Sequence, residues 1–351
     1  MPNIKIVGTG LLGTSLGLAL SRQGITPQLA DQSKSALRLA VEYGAGEMTG
    51  PEPDLVIVCV PPDATADVVI RQLQEHPSAV VTDVASVKVE IAQQVSESGL
   101  GNRYIGSHPM AGREKGGPAA ARADLFFARP WVITPHAGNT NDAIELIRDV
   151  ALRVGALPVQ LSAADHDKAV ALVSHLPQLV SSALASQLNT GTEDELSLSG
   201  QGLRDTARIA ASDPELWVQI ISQNSKALLP LISGMRSELE ALEAALADIS
   251  APGSLAKVHS LLTRGNSGIS KIPGKHGGKF ADYSQLTVMI DDSPGSLAAL
   301  FTFVGDIGVN IEDFKLEHSP GAPIGLVELQ VLPDSSQRLS EELEKNGWRL
   351  V

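Results

Sequence analysis

The chain has 351 residues, 43% hydrophobic and 19% charged, with a formal net charge of -13. That length exceeds what one core usually organises, so two or three domains are expected, and the apolar content excludes disorder over most of the chain. The acidic balance argues against a nucleic-acid partner, because phosphate would be repelled, yet it leaves room for a local basic pocket that takes a small anion. A single cysteine, Cys59, lies in the apolar run DLVIVCVPP and excludes an intramolecular disulfide; it reads as a small buried strand residue in a protein of the reducing cytoplasm. The N-terminal MPNIKIVGTG enters a strand with no basic n-region. No apolar run approaches the roughly 20 residues a spanning helix needs. A cytoplasmic protein with no membrane partner is expected.

The first part of the chain alternates strands and helices. IKIVGTG (4–10) is a strand running into a turn, and 11–24 a helix ending at Gly24. PQLAD (27–31) is a second strand, 34–44 a second helix and DLVIVCV (54–60) a third strand, rich in valine and isoleucine as a buried parallel strand should be. Strands over 79–86, 104–109 and 131–136 follow, which predicts a doubly wound α/β domain over 1–162. Over 163–263 apolar residues recur at three-to-four spacing, which predicts long helices. Residues 264–283, RGNSGISKIPGKHGGKFADY, read as a glycine-rich linker carrying the cations Lys271, Lys275 and Lys279 and the histidine His276, either solvated or lying near an anionic ligand. The last segment, 284–351, predicts strand, helix, two strands, helix and strand, the ferredoxin-like β-α-β-β-α-β order. There is no internal repeat.

Gly8-Thr-Gly10-Leu11-Leu12-Gly13 follows a strand and opens a helix. Its glycines permit a tight turn and close approach of a pyrophosphate to the positive end of the helix. Asp31 ends the second strand 18 residues after Gly13. A carboxylate there accepts from ribose hydroxyls and repels a 2′-phosphate, so a Rossmann-type domain binding NAD rather than NADP is expected. In a doubly wound sheet ligands lie beyond the C-terminal strand ends. That rule selects Val60, Pro61 and Pro62 for the cofactor, and it places TDVASVK (82–88) and SHPMAG (107–112) at the same crevice. Ser86 and His108 are then the candidate catalytic residues. A histidine near its ordinary pKa of about 6.5 suits removal of a hydroxyl proton as hydride leaves the same carbon. Pro109 restricts the backbone after it. No metal site is expected. His136 and His166 have no motif and read as structural residues.

The runs G-x-G-L-L-G-x-S, T-D-V-A-S-V-K, S-H-P-M-A-G, S-H-L-P and G-L-R-D-T-A-R-I-A-A-S-D-P-x-L-W resemble the prephenate dehydrogenase family of tyrosine biosynthesis, which includes arogenate and cyclohexadienyl dehydrogenases, over roughly 1–265. D292-S-P-G-S-L297 with G308-V-N-I311 is similar to ACT domains, which bind amino acids and regulate enzymes. The resemblance implies NAD-dependent oxidative decarboxylation of prephenate to 4-hydroxyphenylpyruvate. His108 matches the histidine that deprotonates the hydroxyl, Ser86 its partner beside the nicotinamide, and Arg208 the arginine that holds the ring carboxylate. Glu114, His175, Gln178 and Asp205 match positions at or near the substrate. It also implies a helical dimerisation domain, a homodimer, and tyrosine as effector of the ACT-like segment through Asp292, Gly295 and Asn310.

The chain departs from the family at Gln178, where many members carry a second histidine. Arogenate carries an ammonium where prephenate has a keto group, and neutral Gln178 offers it no carboxylate, which favours prephenate; Glu114 remains a possible acidic partner. Arogenate or dual-specificity turnover stays open, as does a non-catalytic sensor of NAD and an amino acid. A β-hydroxyacid dehydrogenase would need a lysine in a matching motif, and Lys168 lacks the surrounding pattern.

Overall fold

Valine, leucine and isoleucine fill the strands nearest the N-terminus, and the sheet they form is covered on both faces. The computed structural model describes residues 2–113, 115–273, 283–318 and 323–351. The chain divides into two compact units, Met1–Arg236 and Ser237–Val351.

In the first unit β1 (Ile4–Val7), α1 (Leu11–Arg22), β2 (Gln28–Ala30), α2 (Lys34–Glu42), β3 (Leu55–Val58), α3 (Pro62–Glu75) and β4 (Val80–Asp83) alternate. Their strands pair in parallel in the order β2-β1-β3-β4. Ile6, Leu55, Val56 and Ile57 are wholly buried, as strands with helices on both faces require. After α4 (Val89–Glu97) comes β5 (Gly106–Pro109), and a parallel bridge between Val81 and Tyr104 ties its approach to β4. Beyond β5 the sheet departs from the expected doubly wound pattern. β6 (Pro130–Thr134) runs antiparallel to β5, and α5 (Asn141–Arg153) leads to β7 (Leu157–Gln160), parallel to β6. The reason lies in the connection: among the described residues between β5 and β6 there is one short 3₁₀ turn and no crossover helix to return the chain in parallel.

The helical region opens with α6 (Ala163–Val170), a π turn over Ala171–His175, and α7 (Leu176–Gln187). Pro177 has no N–H to donate to the carbonyl four residues back, and the wider turn just before it absorbs that loss. By length and composition the helical stretch Ala163–Thr190 is apolar enough to cross a membrane, contrary to the sequence expectation. Its polar residues nonetheless have partners inside the protein: His166, Asp167, His175, Gln178 and Ser181 are buried and hydrogen-bonded. Then follow α8 (Glu193–Ser197), α9 (Gln201–Ala207), a 3₁₀ turn over Arg208–Ala210, α10 (Pro214–Gln223), α11 (Ser225–Ala247) and α12 (Ser254–Ile269). The linker expected from residue 264 starts later, because α12 continues to Ile269. Arg264 is held there by Ser260 at 2.7 Å and Glu238 at 2.5 Å, and each helical glycine costs only about 1 kcal/mol. Lys275, His276 and Lys279 lie outside the described residues.

The second unit closes with β8 (Ser284–Asp291), α13 (Ser296–Asp306), β9 (Asp313–His318), β10 (Ile324–Val331), α14 (Pro333–Lys345) and β11 (Arg349–Leu350). All neighbours are antiparallel in the order β11-β8-β10-β9, the arrangement expected of the β-α-β-β-α-β pattern. Burial alternates strictly along β10, and Val288, Leu300, Val327, Leu329, Leu339 and Leu343 are wholly buried in this core.

The turn between β1 and α1 yields a test. A Cβ on Gly13 would lie 1.9 Å from the Gly8 carbonyl oxygen, whereas one on Gly10 would meet nothing within 4 Å. Gly13→Ala should therefore lower the denaturant midpoint by an amount equivalent to about 1–3 kcal/mol, and Gly10→Ala should leave it near wild type. Equal midpoints for the two variants would refute this packing.

Candidate active site

Three features converge on the C-terminal edge of the parallel strands: the glycine turn after β1, the β4–α4 turn and the end of β5. Gly8 adopts φ +100, and its missing Cβ leaves room for the Cys59 carbonyl, which a Cβ would approach to 2.4 Å. Gly10 caps α1 without a side-chain bond, so the first amides of the helix, at Leu11, Leu12 and Gly13, have no side-chain oxygen on them. Open space at Gly10 and free helix amides are what a pyrophosphate requires. Asp31 tightens the turn: its Oδ2 accepts from the Thr9 amide at 2.6 Å and the Thr9 hydroxyl at 2.9 Å, and its Oδ1 from the Ser33 amide at 2.7 Å. Val60 packs beside Gly8, Pro61 caps α3 and Pro62 opens it. The residues present therefore fit a dinucleotide.

His108 stands near the end of β5, and its Nδ1 lies 2.9 Å from Nε2 of His166 on α6. The His166 Nδ1 in turn lies 2.8 Å from Oδ1 of Asp167. The Asp167 carboxylate also accepts the backbone amides of Lys88 and Val89 at the start of α4, each at 2.8 Å. His166 and Asp167 are buried. Burial, and then coupling to His166, Lys88 and His175, hold the His108 imidazole well below its ordinary pKa of 6.5, so the ring is neutral at physiological pH and able to take up a proton. His166, read from the sequence as structural, is thus the direct partner of the candidate base.

The same turn carries a buried ion pair. Lys88 Nζ bonds Asp83 Oδ1, which also accepts the Ala85 amide at 2.8 Å, while the Tyr104 hydroxyl donates to Asp83 Oδ2 at 2.6 Å. Burial pulls the Lys88 ammonium below its usual value against the opposing pull of Asp83, and it raises the Tyr104 phenol well above 10.0. Ser86 sits between these groups in the chain, half-buried. The ring nitrogen of His108 that the protein engages is paired with His166, not with the Ser86 hydroxyl.

The remaining sequence candidates sit on the helical region. His175 is buried, with Nδ1 3.0 Å from Asn224 Nδ2 and its ring 5.9 Å edge-on from Trp217; burial lowers its pKa to about 4. Asn224 Nδ2 also donates to the Asp167 carbonyl at 2.8 Å, which joins His175 to the His166–Asp167 pair. Gln178 is buried, with Oε1 accepting from Ser212 at 3.2 Å. Arg208 opens the 3₁₀ turn that packs on α7, with an exposed side chain, and exposed Asp205 accepts from Gln201 at 2.8 Å. Glu114 lies outside the described residues. In the second unit Gly295 caps α13 at φ +94, Asp292 donates its amide to the Pro323 carbonyl at 3.0 Å, and Asn310 donates to Glu312 at 2.6 Å. After His108 the chain folds back on α1, where the Arg122 amide donates to Ser15 at 3.0 Å.

His166, Asp167, Asn224, Asp83 and Lys88 carry this geometry but are absent from the sequence-level site. A signal existed for two pairs. Asp83 and Lys88 are opposite charges within an apolar strand-and-turn run, and Asp165-His166-Asp167 sets a histidine between carboxylates at the start of an apolar helix. Asn224 had none.

Similarity to known proteins identifies the family. Residues 16–159 match the family described as prephenate dehydrogenase, nucleotide-binding domain, and residues 162–259 match prephenate dehydrogenase, dimerization domain. A protein of Streptomyces niveus described as a probable prephenate dehydrogenase is 32% identical, covering 99% of each chain. The Synechocystis arogenate dehydrogenase structure is 31% identical with a TM-score of 0.64, covering 77% of this chain and 99% of that one. An Aquifex aeolicus prephenate dehydrogenase structure in complex with hydroxyphenyl propionate and NAD+ is 26% identical with a TM-score of 0.66, covering 76% of this chain and 98% of that one. With a glycine turn fitted to a dinucleotide and a neutral histidine on the same strand edge, the chain belongs to the NAD-binding prephenate dehydrogenase family.

Proposed function

We propose that this protein oxidises prephenate to 4-hydroxyphenylpyruvate and CO2, with His108 as the base. The observation that carries the reading is the neutral His108, bonded through Nδ1 and so left with Nε2 for a hydroxyl, at the strand edge that also bears the glycine turn. NAD, when bound, supplies the hydride acceptor. His108 Nε2 takes the hydroxyl proton as hydride leaves the carbon that bears it. Loss of CO2 then drives its bonding electrons into the ring, restores aromaticity, and leaves a phenolate oxygen that recovers the proton from Nε2. Ser86 orients the hydroxyl from the β4–α4 turn. Arg208 holds the ring carboxylate by a charge-assisted contact suited to guanidinium.

His175, Gln178, Asp205 and Glu114 surround the rest of the substrate in this reading. Gln178 favours prephenate, because its neutral amide is turned to Ser212 and offers no carboxylate to the ammonium of arogenate. Residues 284–351 act as an ACT domain that binds tyrosine through Asp292, Gly295 and Asn310; the left-handed cap at Gly295 and the strand order of this segment support this. The domains run 1–162 for the dinucleotide, 163–263 for substrate and dimerisation, 264–283 as linker and 284–351 for regulation. The protein works as a cytoplasmic homodimer. Large apolar side chains left exposed on the helices, such as Val218 at 67% and Leu229 at 67%, support an interface with a second copy.

Three outcomes test this reading. NADH should form with prephenate and NAD, faster than with arogenate, and tyrosine should suppress it; turnover of arogenate alone would reverse the substrate assignment. His108→Asn should retain NAD binding and lose about 10²–10⁴-fold in kcat, while Arg208→Ala should mainly raise KM. A near-normal kcat in the first or an unchanged KM in the second would remove that residue from its role. The depressed His108 pKa also sets a pH profile: the free enzyme keeps its base unprotonated through neutrality, so kcat/KM should hold level down to about pH 6.5 and fall only below it.

A further inference from the structure

We infer that Asp167 and His166 form a positioning relay that fixes the tautomer of His108 and receives the charge it gains during the reaction. The inference rests on His108 being the base, and it assigns work to two buried residues that act through it.

The argument begins with donors and acceptors. The Asp167 carboxylate only accepts, so the proton it shares with His166 sits on His166 Nδ1. A neutral His166 then presents a lone pair at Nε2. Across 2.9 Å, that lone pair requires His108 Nδ1 to carry the proton. His108 Nε2 is consequently bare, and it is the one ring nitrogen left for a substrate hydroxyl. One carboxylate thus dictates, through two rings, which nitrogen of His108 is basic.

Asp167 is itself held firmly. Its two oxygens take the Lys88 and Val89 amides at the positive end of the nine-residue helix α4, and its carbonyl takes Asn224. The charges facing His108 from its surroundings are Lys88 and Asp83 in the β4–α4 turn, His175 in the π turn, and the His166–Asp167 pair on α6. Burial first, and then the Lys88 ammonium, disfavour a positive imidazole at His108. The relay answers this. As Nε2 accepts the hydroxyl proton, the Nδ1 proton passes to His166 Nε2, so the positive charge comes to rest on the ring beside Asp167. Asp167 stays unprotonated throughout. When the phenolate forms, both protons return along the same bonds, and no proton is gained or lost by the protein.

Two variants and one spectrum test this. Asp167→Asn should lower kcat by about 10–100-fold with little change in KM or in NADH binding. It should also move the acid limb of the kcat profile to lower pH, because removal of the negative charge disfavours the protonated relay. His166→Gln can still accept from His108 Nδ1 while leaving the amide bonds of Asp167 in place, so it should fold normally and still lose kcat. The spectrum needs no substrate: ¹⁵N resonances of the imidazoles in the wild-type full chain should show His108 protonated at Nδ1 alone, and the Asp167→Asn variant should show a tautomer mixture. Both variants retaining kcat and the acid limb, or a wild-type His108 protonated at Nε2, would overturn the relay. Absence of turnover with prephenate and arogenate, together with the expected spectrum, would overturn the substrate assignment and leave the relay standing.

Discussion

The carboxylate of Asp167 is the constraint on which the site depends. It closes the N-terminus of α4 by taking two backbone amides, and it meets His166 beside them. Since α4 follows β4 of the dinucleotide sheet and Asp167 lies on α6 of the helical region, this side chain ties the two together. The bonds stand in a buried environment, where charge-assisted hydrogen bonds are strong and an unpaired donor is costly. The strand edge with the glycine turn and the histidine proposed as the base therefore share one frame, with the intervening β4–α4 turn pinned at both ends.

That turn is also where the protein accepts an electrostatic cost. Asp83 and Lys88 are both wholly buried, and such a pair repays its desolvation only when the remaining lone pairs and protons find partners. Asp83 meets the condition with the Tyr104 hydroxyl and the Ala85 amide. Replacing such a pair by apolar residues of similar volume is often neutral or stabilising. What an apolar pair would lack is direction: the bonds of Asp83 fix the path of residues 83–88 and so the place of Ser86. The network is consistent with geometry, rather than stability, being what the ion pair secures.

The legibility of the sequence followed the range of the physics. Local signals were sufficient for the glycine turn and the apolar strands, because backbone clashes and strand periodicity act over a few residues. The C-terminal strand order was also legible, since each of its elements has its own period. The antiparallel turn of β6 was not, because no residue in SHPMAG announces the absence of a crossover helix. The place of His166 beside His108 was hidden for a related reason. It lies 58 residues from His108, and only packing of α6 against the sheet brings them together. A histidine flanked by Asp165 and Asp167 at the start of an apolar helix was the available sign that polar groups were being carried inward. Asn224 was invisible for the same reason, with a single neutral side chain and its partner 57 residues away.

The chemistry proposed for the site makes sense of its burial. A base that must export its proton needs water or a chain of donors leading out, and a dry environment hinders it. In oxidative decarboxylation the hydroxyl proton leaves with the hydride and is wanted again once CO2 has gone, when the ring oxygen becomes a phenolate. Burial then costs little, because the proton needs only a short-lived place to stay. Burial also brings a gain: it keeps His108 neutral and ready, and it strengthens each hydrogen bond in the His108–His166–Asp167 series. A histidine depressed by burial and by the nearby Lys88, yet backed by a carboxylate two rings away, binds a proton weakly enough to return it and firmly enough to take it.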